Sequence, residues 1–428
     1  MRAKWLVTAT ALAALSTGVA ACGDDSGDSG GGGGGGGGAG SGEISGNTLT
    51  VYSSLPLQGG SRDNALAVNK GADIALKEKG GKVGNFTIKF EKLDDSTASA
   101  GKWEPNQTQQ NARKAVADKT TVAYLGEFNS GASALSIPTT NRAGILQVSP
   151  ANTAIGLTKE DPADPGTPDK YYPAKKRTYG RVVPPDTVQA AAQVTIWKEN
   201  GCKKVFIVND KEVYGEGLAT AAEKAAGEQG VEIAGNEGYD PKAGNYRSLA
   251  GKIASSGADC FFGSIITDNN GVQLFTDIAN GAKSIKLFGP DGVADEAFTG
   301  KDGLSPAVAK RTLITVATLD PADYPPAGKK FFDDYKKDTG DKTPAPYSIY
   351  GYEAMSIILD SINGAASDGK VSRQEVIDEF FSTKGRESVL GTYDIDKDGD
   401  TTLTDYGLYK VEDGESVFQK VIKAGGGT

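Results

Sequence analysis

The sequence predicts an α/β protein with two similar lobes, each built on a parallel sheet. Strand and helix patterns alternate from Thr48 onward, and such alternation is typical of βαβ units whose sheet is covered on both faces. The alternation stops at DPADPGTPDKYYPAKK (161–176), which we interpret as an exposed loop because it is rich in Pro and Asp. It then begins again. The chain beyond residue 21 has about 400 residues, a length that usually means two domains.

The first run of the alternation contains four strand patterns and three helix patterns. β-branched and apolar residues mark the strands, whereas longer stretches rich in Ala, Lys, Gln and Asn mark the helices. The predicted order is strand TLTVYSS, helix 64–79, strand FTIKFEKLDD, helix NQTQQNARKAVAD, strand TVAYLGE, a short helix SALSIPTTNRAG interrupted near Pro138, and strand ILQVSP.

The second run repeats the pattern and then changes. Its predicted order is helix VQAAAQVTIWKENG, strand KVFIVND, helix EGLATAAEKAAGEQG, strand VEIAGNEGY, helix YRSLAGKIASSG, strand CFFGSII, helix VQLFTDIANGA and strand IKLFGPDG. Three helices are then expected at 328–339, 347–365 and 372–382, and three strands at the end, in LGTYDID, TLTDYGLYKV and SVFQKVI. In open parallel sheets, ligands bind in the crevice outside the carboxyl ends of the strands. Two facing lobes therefore predict a binding cleft that can close like a hinge.

Composition excludes several classes of function. The chain has no histidine, which excludes Ser-His-Asp and Cys-His catalytic arrangements and any histidine metal ligand. Carboxylates, lysine and tyrosine could still do acid–base work, so an enzyme is disfavoured without being excluded. Loss of residues 1–21 leaves 44 basic against 55 acidic residues, a formal charge of −11, and an acidic exported protein is a poor candidate for nucleic-acid binding.

The N-terminus is typical of an exported protein. Basic Arg2 and Lys4 precede an apolar run, Trp5 to Leu15, which is too short to span a bilayer and fits a secretory signal. The following VAAC resembles the bacterial lipoprotein signal box and predicts lipidation of Cys22. Residues 22–46, with nine consecutive glycines, would form a flexible tether of roughly 25–30 Å. An ordinary signal peptide with an incidental cysteine is the alternative.

Three further motifs could have a chemical or a purely structural role. Cys202 and Cys260 precede or open strands of one predicted sheet, so they form either a disulfide or two buried thiols. In DIDKDGDTTLTD, Asp394, Asp396, Asp398, Gly399, Asp400 and Asp405 match EF-hand loop positions. Strand patterns on both sides favour a hairpin with a tight Asp-Gly turn over a calcium site. YGEGLAT, from Tyr214, has only part of a dinucleotide-binding fingerprint.

An ordered set of motifs resembles the type I periplasmic binding proteins that serve as solute receptors of branched-chain amino acid ABC transporters. The motifs are LPLQGG, KGADIALKE, LDDSTA, YLGEFNSGAS, GILQVSPANT, YGRVVPPD, EVYGEGLA, FGPDG, PYSIYGYEAMSIILDSI and GTYDIDKDGD. The likeness covers residues 47–424. It implies two Rossmann-like lobes joined by three crossover strands, near Tyr179, near 313–319 and near Gly391. The N-terminal lobe would comprise 47–178 and 319–389, and the C-terminal lobe 179–318 and 390–424.

The resemblance also implies a zwitterion site. Ser130 matches a serine that holds the ligand carboxylate, with Asn129 beside it at a helix start. Ala151 matches a residue whose backbone carbonyl faces the ammonium group, and Thr153 matches a threonine that touches both charged groups. In the C-terminal lobe, Tyr214 matches a tyrosine that closes over the ligand, and Asp291 matches the acidic partner of the ammonium.

These matches imply an extracytoplasmic, lipid-anchored and monomeric receptor that delivers an amino acid to an ABC permease. We expect no metal, no cofactor and no catalysis. The region GGSRDNALAV lacks the aromatic residue common at the first helix of the family, and GSIITD lacks a second one, so the ligand side chain need not be branched and apolar. A sensory binding protein of the same fold, a receptor for an amide or urea, and a surface enzyme using carboxylates are the alternatives.

Overall fold

The computed structural model describes residues 42–341, 344–366 and 369–424. The predicted signal peptide, Cys22 and all but the last residues of the tether lie outside these ranges. None of the helices described there combines the length and hydropathy that a bilayer-spanning helix needs.

The described residues form strands and helices in the predicted alternation. The strands are β1 (Thr48–Leu55), β2 (Lys82–Val83), β3 (Phe86–Asp94), β4 (Ser96–Thr97), β5 (Lys102–Trp103), β6 (Thr121–Gly126), β7 (Leu146–Ser149), β8 (Tyr179–Arg181), β9 (Lys204–Asn209), β10 (Glu232–Gly238), β11 (Cys260–Ser264), β12 (Lys286–Gly289), β13 (Thr312–Val316), β14 (Arg386–Ser388), β15 (Gly391–Tyr393), β16 (Asp405–Glu412) and β17 (Glu415–Lys423). The helices are α1 (Arg62–Glu78), α2 (Pro105–Ala117), α3 (Ser130–Arg142), α4 (Asp186–Glu199), α5 (Val213–Gln229), α6 (Arg247–Ser255), α7 (Gly271–Gly281), α8 (Glu296–Thr299), α9 (Pro306–Ala309), α10 (Pro326–Thr339), α11 (Ser348–Ala365) and α12 (Arg373–Phe381).

Two main sheets divide the chain, as the sequence predicts. The first has the order β2-β3-β1-β6-β7-β8 and is parallel apart from the β2–β3 pair. The second has the order β10-β9-β11-β12-β13-β16-β17, and its last two pairings are antiparallel. The central strands of both sheets are buried on both faces, which explains why β6, β9 and β11 are mostly apolar and lack a regular polar alternation. β1 also contains buried Thr50, Ser53 and Ser54.

Helix α11 packs on the first sheet through an unusually close contact with α1. A Cβ at Gly71 would lie 2.1 Å from the Ser348 carbonyl oxygen, and one at Gly351 would lie 2.2 Å from that of Val68. Only glycine permits this approach of the two backbones. The contact brings a helix encoded almost three hundred residues later beside the first helix of the chain, and it fixes where α11 begins.

The structure pairs Cys202 with Cys260 in a disulfide, the first of the two alternatives. β9 and β11 are neighbouring parallel strands, and the two Cα atoms are 5.8 Å apart, a separation suited to a disulfide. Because both cysteines stand at the amino ends of their strands, the bond lies at the end of the sheet away from the strand carboxyl ends.

The acidic segment 394–405 forms a tight hairpin-like turn closed by an antiparallel bridge between Ile395 and Thr401. Its Asp400 faces cationic side chains of the same chain. Asp400 pairs with Arg181 at 2.7 Å and with Lys159 at 3.0 Å, and among the described residues no three carboxylates of this segment converge on a point. The arrangement favours the hairpin interpretation.

Two local predictions were wrong. Helix α3 continues through Pro138, because Pro138 and Ala134, whose carbonyl loses its partner, both lie on the partly exposed face where solvent can reach that carbonyl. The loop 161–176 is irregular but not wholly exposed. Tyr171 and Tyr172 are buried against Ile137 and Leu157, since the aromatic pair supplies the apolar surface that covers this side of α3.

Candidate functional site

A cavity lies where the carboxyl ends of strands from both sheets meet. The space between its walls is about 500 Å³, a figure that includes space open to solvent. Its lining residues are Ser61, Asn64, Phe128, Asn129, Ser130, Ala151, Thr153, Glu212, Tyr214, Ile266, Asp291, Gly292, Asp295 and Tyr347. All six residues that the sequence nominates for binding are among them. They come from loops after β6, β7, β9 and β12.

One end of the cavity is formed by the start of α3. Asn129 is the residue before the helix and Ser130 is its first residue. The first N–H groups of a helix have no carbonyl partner within it, and they favour an anion. The Oδ1 atom of Asn129 is buried and has no partner among the described residues. This end of the cavity can therefore both donate to a carboxylate and accept from a neighbouring donor.

The loop that carries Ala151 and Thr153 is held from behind. The hydroxyl of Ser149 accepts from the backbone N–H groups of Ala151 and Asn152 at 3.2 and 2.9 Å and donates to the Glu127 carbonyl at 2.8 Å. The side chain of Asn152 donates to the carbonyl of the residue after Glu127 at 2.8 Å. These bonds lock the loops after β6 and β7 to each other, so the two sets of binding atoms keep a fixed separation.

A buried arginine extends this support. Arg181 is fully buried and donates to the carbonyls of Asn152 and Ala154 at 3.1 and 2.8 Å, while its Nε donates to Asp400 at 2.7 Å. Asp400 therefore neutralises the arginine that shapes the Thr153 loop. The acidic segment that resembles a calcium loop has a structural role in the site.

Asp291 stands at the centre of the opposite side of the cavity. Tyr214 Oη donates to its Oδ1 at 2.7 Å, and the hydroxyl of Tyr347 donates to its Oδ2. Gly292 must be glycine here, because a Cβ would lie 2.8 Å from the Tyr214 ring and 2.5 Å from the Ile265 carbonyl oxygen. The two tyrosines fix the orientation of a carboxylate that faces the cavity.

The electrostatics of this side favour a cationic partner. Burial raises the pKa of Asp291, although the hydroxyls of Tyr347 and Tyr214 oppose the shift. Asp186, at the start of α4, is fully buried, and neither of its carboxylate oxygens has a partner among the described residues. Burial and the nearby charge of Asp291 raise the pKa of Asp186 well above the usual range. Two acidic groups thus lie close together, and no lysine or arginine lines the described cavity.

Contacts across the mouth join the two sheets. Asp268, which follows β11, accepts from the Gly60 N–H at 2.6 Å and from the Ser61 hydroxyl at 3.4 Å. Lys102 and Trp103 donate to Glu212 at 2.8 and 3.2 Å. Each of these bonds connects a segment that follows a strand of the first sheet to one that follows a strand of the second. The structure is therefore the closed arrangement of the cleft.

Comparison with known proteins agrees with this architecture. The family model described as "Periplasmic binding protein" matches residues 51–416. The chain belongs to the periplasmic binding protein family.

The chain is also similar to individual proteins of known name or structure. An "Amino acid binding protein" from Pseudomonas aeruginosa is 26% identical over 348 residues, covering 80% of this chain and 85% of that protein. The crystal structure of the leucine binding protein LivK from Thermotoga maritima has a TM-score of 0.73 at 22% identity and covers 88% of this chain and 99% of the other. A solute binding protein of an ABC transporter from R. palustris, solved in complex with benzoate, has a TM-score of 0.70 at 18% identity over 87% and 96% of the two chains. The last two likenesses show the shared fold.

Sequence reasoning missed several residues that line the cavity of this periplasmic binding protein. They are Ser61, Asn64, Phe128, Glu212, Ile266, Gly292, Asp295 and Tyr347. The motif PYSIYGYEAM contains Tyr347 and predicts a helix, but nothing in the sequence indicates that its first tyrosine contacts Asp291. Arg62, which belongs to the segment GGSRDNALAV, is exposed and pairs with Asp63 at 2.8 Å, outside the cavity lining.

Proposed function

We propose that this protein is an extracytoplasmic, lipid-anchored receptor of an ABC importer that binds an amino acid in its closed cleft and delivers it to the permease. The main support for the proposal is that one cavity contains a group that can bind an anion and a group that can bind a cation. The start of α3 with Ser130 can hold a carboxylate, and Asp291, oriented by two tyrosines, can hold an ammonium group.

This pairing suits a zwitterion better than a neutral solute. A buried charge is tolerated only when it is paired and hydrogen-bonded. In the described cavity Asp291 has tyrosine donors but no cation. An ammonium group would give Asp291 the cationic partner that it lacks there. Ala151 and Thr153 would then be further acceptors for the N–H groups of that ammonium. No residue in the described cavity lining is arranged as a nucleophile with a base, so we propose binding without chemistry.

The lobes would be those inferred from the sequence, 47–178 with 319–389 and 179–318 with 390–424, joined near Tyr179, near 313–319 and near Gly391. The residues 22–46 would tether them to Cys22 at the membrane. Closure of the lobes over the ligand would create the surface that a permease recognises, and the receptor would act as a monomer.

A carboxylic acid without an ammonium group is a less favoured ligand. The benzoate complex of the R. palustris protein shows that one protein of this fold takes such an acid. In the present cavity a benzoate-like ligand would leave Asp291 buried near a second carboxylate, Asp186, and without a cationic partner among the described residues. The cost of that arrangement favours an amino acid.

A thermal-shift panel on the purified full chain tests the proposal. The panel contains the L-amino acids, their D-enantiomers, benzoate, urea, simple amides and short peptides. A ligand at a hundred times its Kd stabilises the native state by about 2.7 kcal/mol, so one or a few L-amino acids should raise the Tm in a concentration-dependent way.

Benzoate and urea are the comparison compounds, because neither is a zwitterionic amino acid. A clear Tm increase with either of them, together with no response to any amino acid, would overturn the zwitterion site. Isothermal titration of the best compound with Ser130→Ala then checks the carboxylate end. The loss of one charge-assisted hydrogen bond should weaken binding by roughly tenfold or more.

A further inference from the structure

One wall of the cavity has polar side chains from both sides of the cleft. Ser61 and Asn64 approach it from the start of α1, and Asp295 from the segment after β12, beside the apolar Ile266 of the segment after β11. The two sides are bonded directly, because Asn64 Nδ2 donates to the carbonyl of Ala294 at 3.1 Å. Asn64 and Asp295 therefore belong to the same wall of the cavity.

The amide of Asn64 has a fixed orientation. A backbone carbonyl can only accept, so the atom that faces Ala294 must be the nitrogen. The other end, Oδ1, is then an acceptor. It is buried and has no partner among the described residues, and the side chain as a whole is only 4% exposed. A buried acceptor without a donor costs about 1–3 kcal/mol, and this one belongs to a residue that lines the ligand cavity.

Asp295 supplies a second acceptor to the same wall. It is 8% exposed, and its Oδ1 accepts the Phe298 N–H at 2.9 Å, which leaves acceptor capacity on the carboxylate. In residues 42–341, 344–366 and 369–424 no lysine or arginine forms an ion pair with it. Burial and the nearby charge of Asp268 raise the pKa of Asp295 to about 7, against the opposing effect of the Thr267 hydroxyl. The wall therefore lacks positive charge.

The remaining carboxylates of the cavity have partners for their charge. Glu212 is paired with Lys102 at 2.8 Å, and under the proposed function Asp291 pairs with the α-ammonium. Oδ1 of Asn64 has no donor among the described residues, and the neighbouring donor groups of Asp295 there are backbone N–H groups and the Thr267 hydroxyl, none of them cationic.

We propose that the amino acid bound here has a side chain that ends in a nitrogen donor, an ammonium, guanidinium or primary amide group, which donates to Asn64 and Asp295. This inference rests on the proposed function, since it assigns a side chain to the same ligand. An aliphatic side chain would leave the Asn64 oxygen unpaired and, at a pH above the raised pKa of Asp295, the charge of that carboxylate without a counterpart. A ligand side chain that ends in a carboxylate would be repelled by Asp295. One that ends in a hydroxyl can donate only one hydrogen bond, whereas Asn64 and Asp295 are two acceptors.

Matched ligands test the idea by calorimetry on the purified full chain. Glutamine, glutamate and methionine have nearly the same size but end in an amide, a carboxylate and a thioether. Lysine and norleucine differ by an ammonium in place of a hydrogen atom, and arginine and leucine complete the panel. At least one nitrogen-bearing ligand should bind about tenfold or more tightly than its nitrogen-free partner, since one unpaired acceptor costs that much. Comparison of glutamine with lysine and arginine identifies whether an amide or a cationic nitrogen is recognised.

Two variants assign the effect to the wall. Asp295→Asn keeps an acceptor for the Phe298 N–H, because Asn caps helices as well as Asp does, and it should reduce the preference for lysine over norleucine by about tenfold. Asn64→Leu should lower the preference for glutamine over methionine by a similar factor. Ratios are compared because the lost bond to Ala294 affects both ligands equally. Asp320→Asn, at an Asp cap outside the cavity, is the matched control and should leave every ratio unchanged.

The outcomes separate this inference from the proposed function. If leucine, methionine or norleucine binds as tightly as any nitrogen-bearing side chain, the polar wall is not a recognition surface, although the protein remains an amino acid receptor. If no amino acid binds and benzoate or urea does, the proposed function fails, and this inference fails with it. Unchanged ratios in both variants, with selective binding intact, would also overturn the assignment to Asn64 and Asp295.

Discussion

The substitution Asp291→Asn should weaken ligand binding while it leaves the unliganded protein as stable as before or more stable. It keeps the size of the side chain and one acceptor for Tyr214 or Tyr347, and it removes the negative charge. Loss of one partner from a buried, hydrogen-bonded charge pair costs about 2–5 kcal/mol, which corresponds to a Kd increased by roughly 30-fold to several thousandfold.

The expected effect on stability has the opposite sign. Because the pKa of Asp291 is raised in the folded state, its charged form is less favourable there than in the unfolded chain. This cost is absent at a pH below the unfolded pKa and grows as the pH rises through the folded pKa. The amide introduced by the substitution does not ionise, so the unfolding free energy of the variant should exceed that of the parent above this window and converge with it in acid.

Calorimetric titration and urea unfolding of the same samples measure both effects. Asp277→Asn is the matched control: Asp277 is also buried and accepts a backbone N–H, that of Tyr246, at 2.7 Å, but it does not line the cavity. The control should keep the parent affinity. A variant at Asp291 that binds as tightly as the parent, or that loses affinity only because it unfolds, would refute the role assigned to this carboxylate.

Three other perturbations address closure and support of the site. Asp268→Ala removes the hydrogen bonds from the Gly60 N–H and the Ser61 hydroxyl. The rate of ligand dissociation, measured by stopped flow, should rise by roughly tenfold or more. An unchanged rate would mean that these bonds do not hold the cleft closed. Arg181→Met leaves the buried Asp400 with Lys159 as its remaining cationic partner. The unfolding free energy, measured with urea, should fall by about 3 kcal/mol, the lower end of the cost of breaking a buried pair. A loss below about 1 kcal/mol, the value of an exposed pair, would contradict the buried pairing. A double Ala substitution removes the Cys202–Cys260 disulfide, which spans 58 residues, and should lower the unfolding free energy by about 4 kcal/mol. Ligand affinity should not change, because the bond lies at the end of the sheet away from the cavity. An increased Kd would show that the two ends are coupled.

The sequence was informative about the fold because its signals are local. A strand or a helix is marked by residues two to four positions apart, and such patterns survive without knowledge of the partner. The strands after which Ser130, Ala151 and Tyr214 stand are of this kind, and topology then places their carboxyl ends at one crevice. Helix boundaries differ from the predicted ones by up to three residues, as at the starts of α3 and α5, because end positions depend on capping and packing.

The supporting contacts were not predictable in the same way. Tyr347 meets Asp291 only because α11 packs on α1 through two glycines. Arg181 and Asp400 are separated by 219 residues, and Asp400 resembled a calcium ligand in sequence because the pattern does not reveal which way each carboxylate points.

The sequence by itself determined the two α/β runs and the residues at strand ends, because both depend on neighbours along the chain. Only the tertiary structure decided that Asn64 and Asp295 share a wall, that Arg62 faces solvent, and that the described cavity lining contains no cation. The physical reason is that the environment of a side chain is set by the segments packed against it. In this protein those segments come from distant parts of the chain.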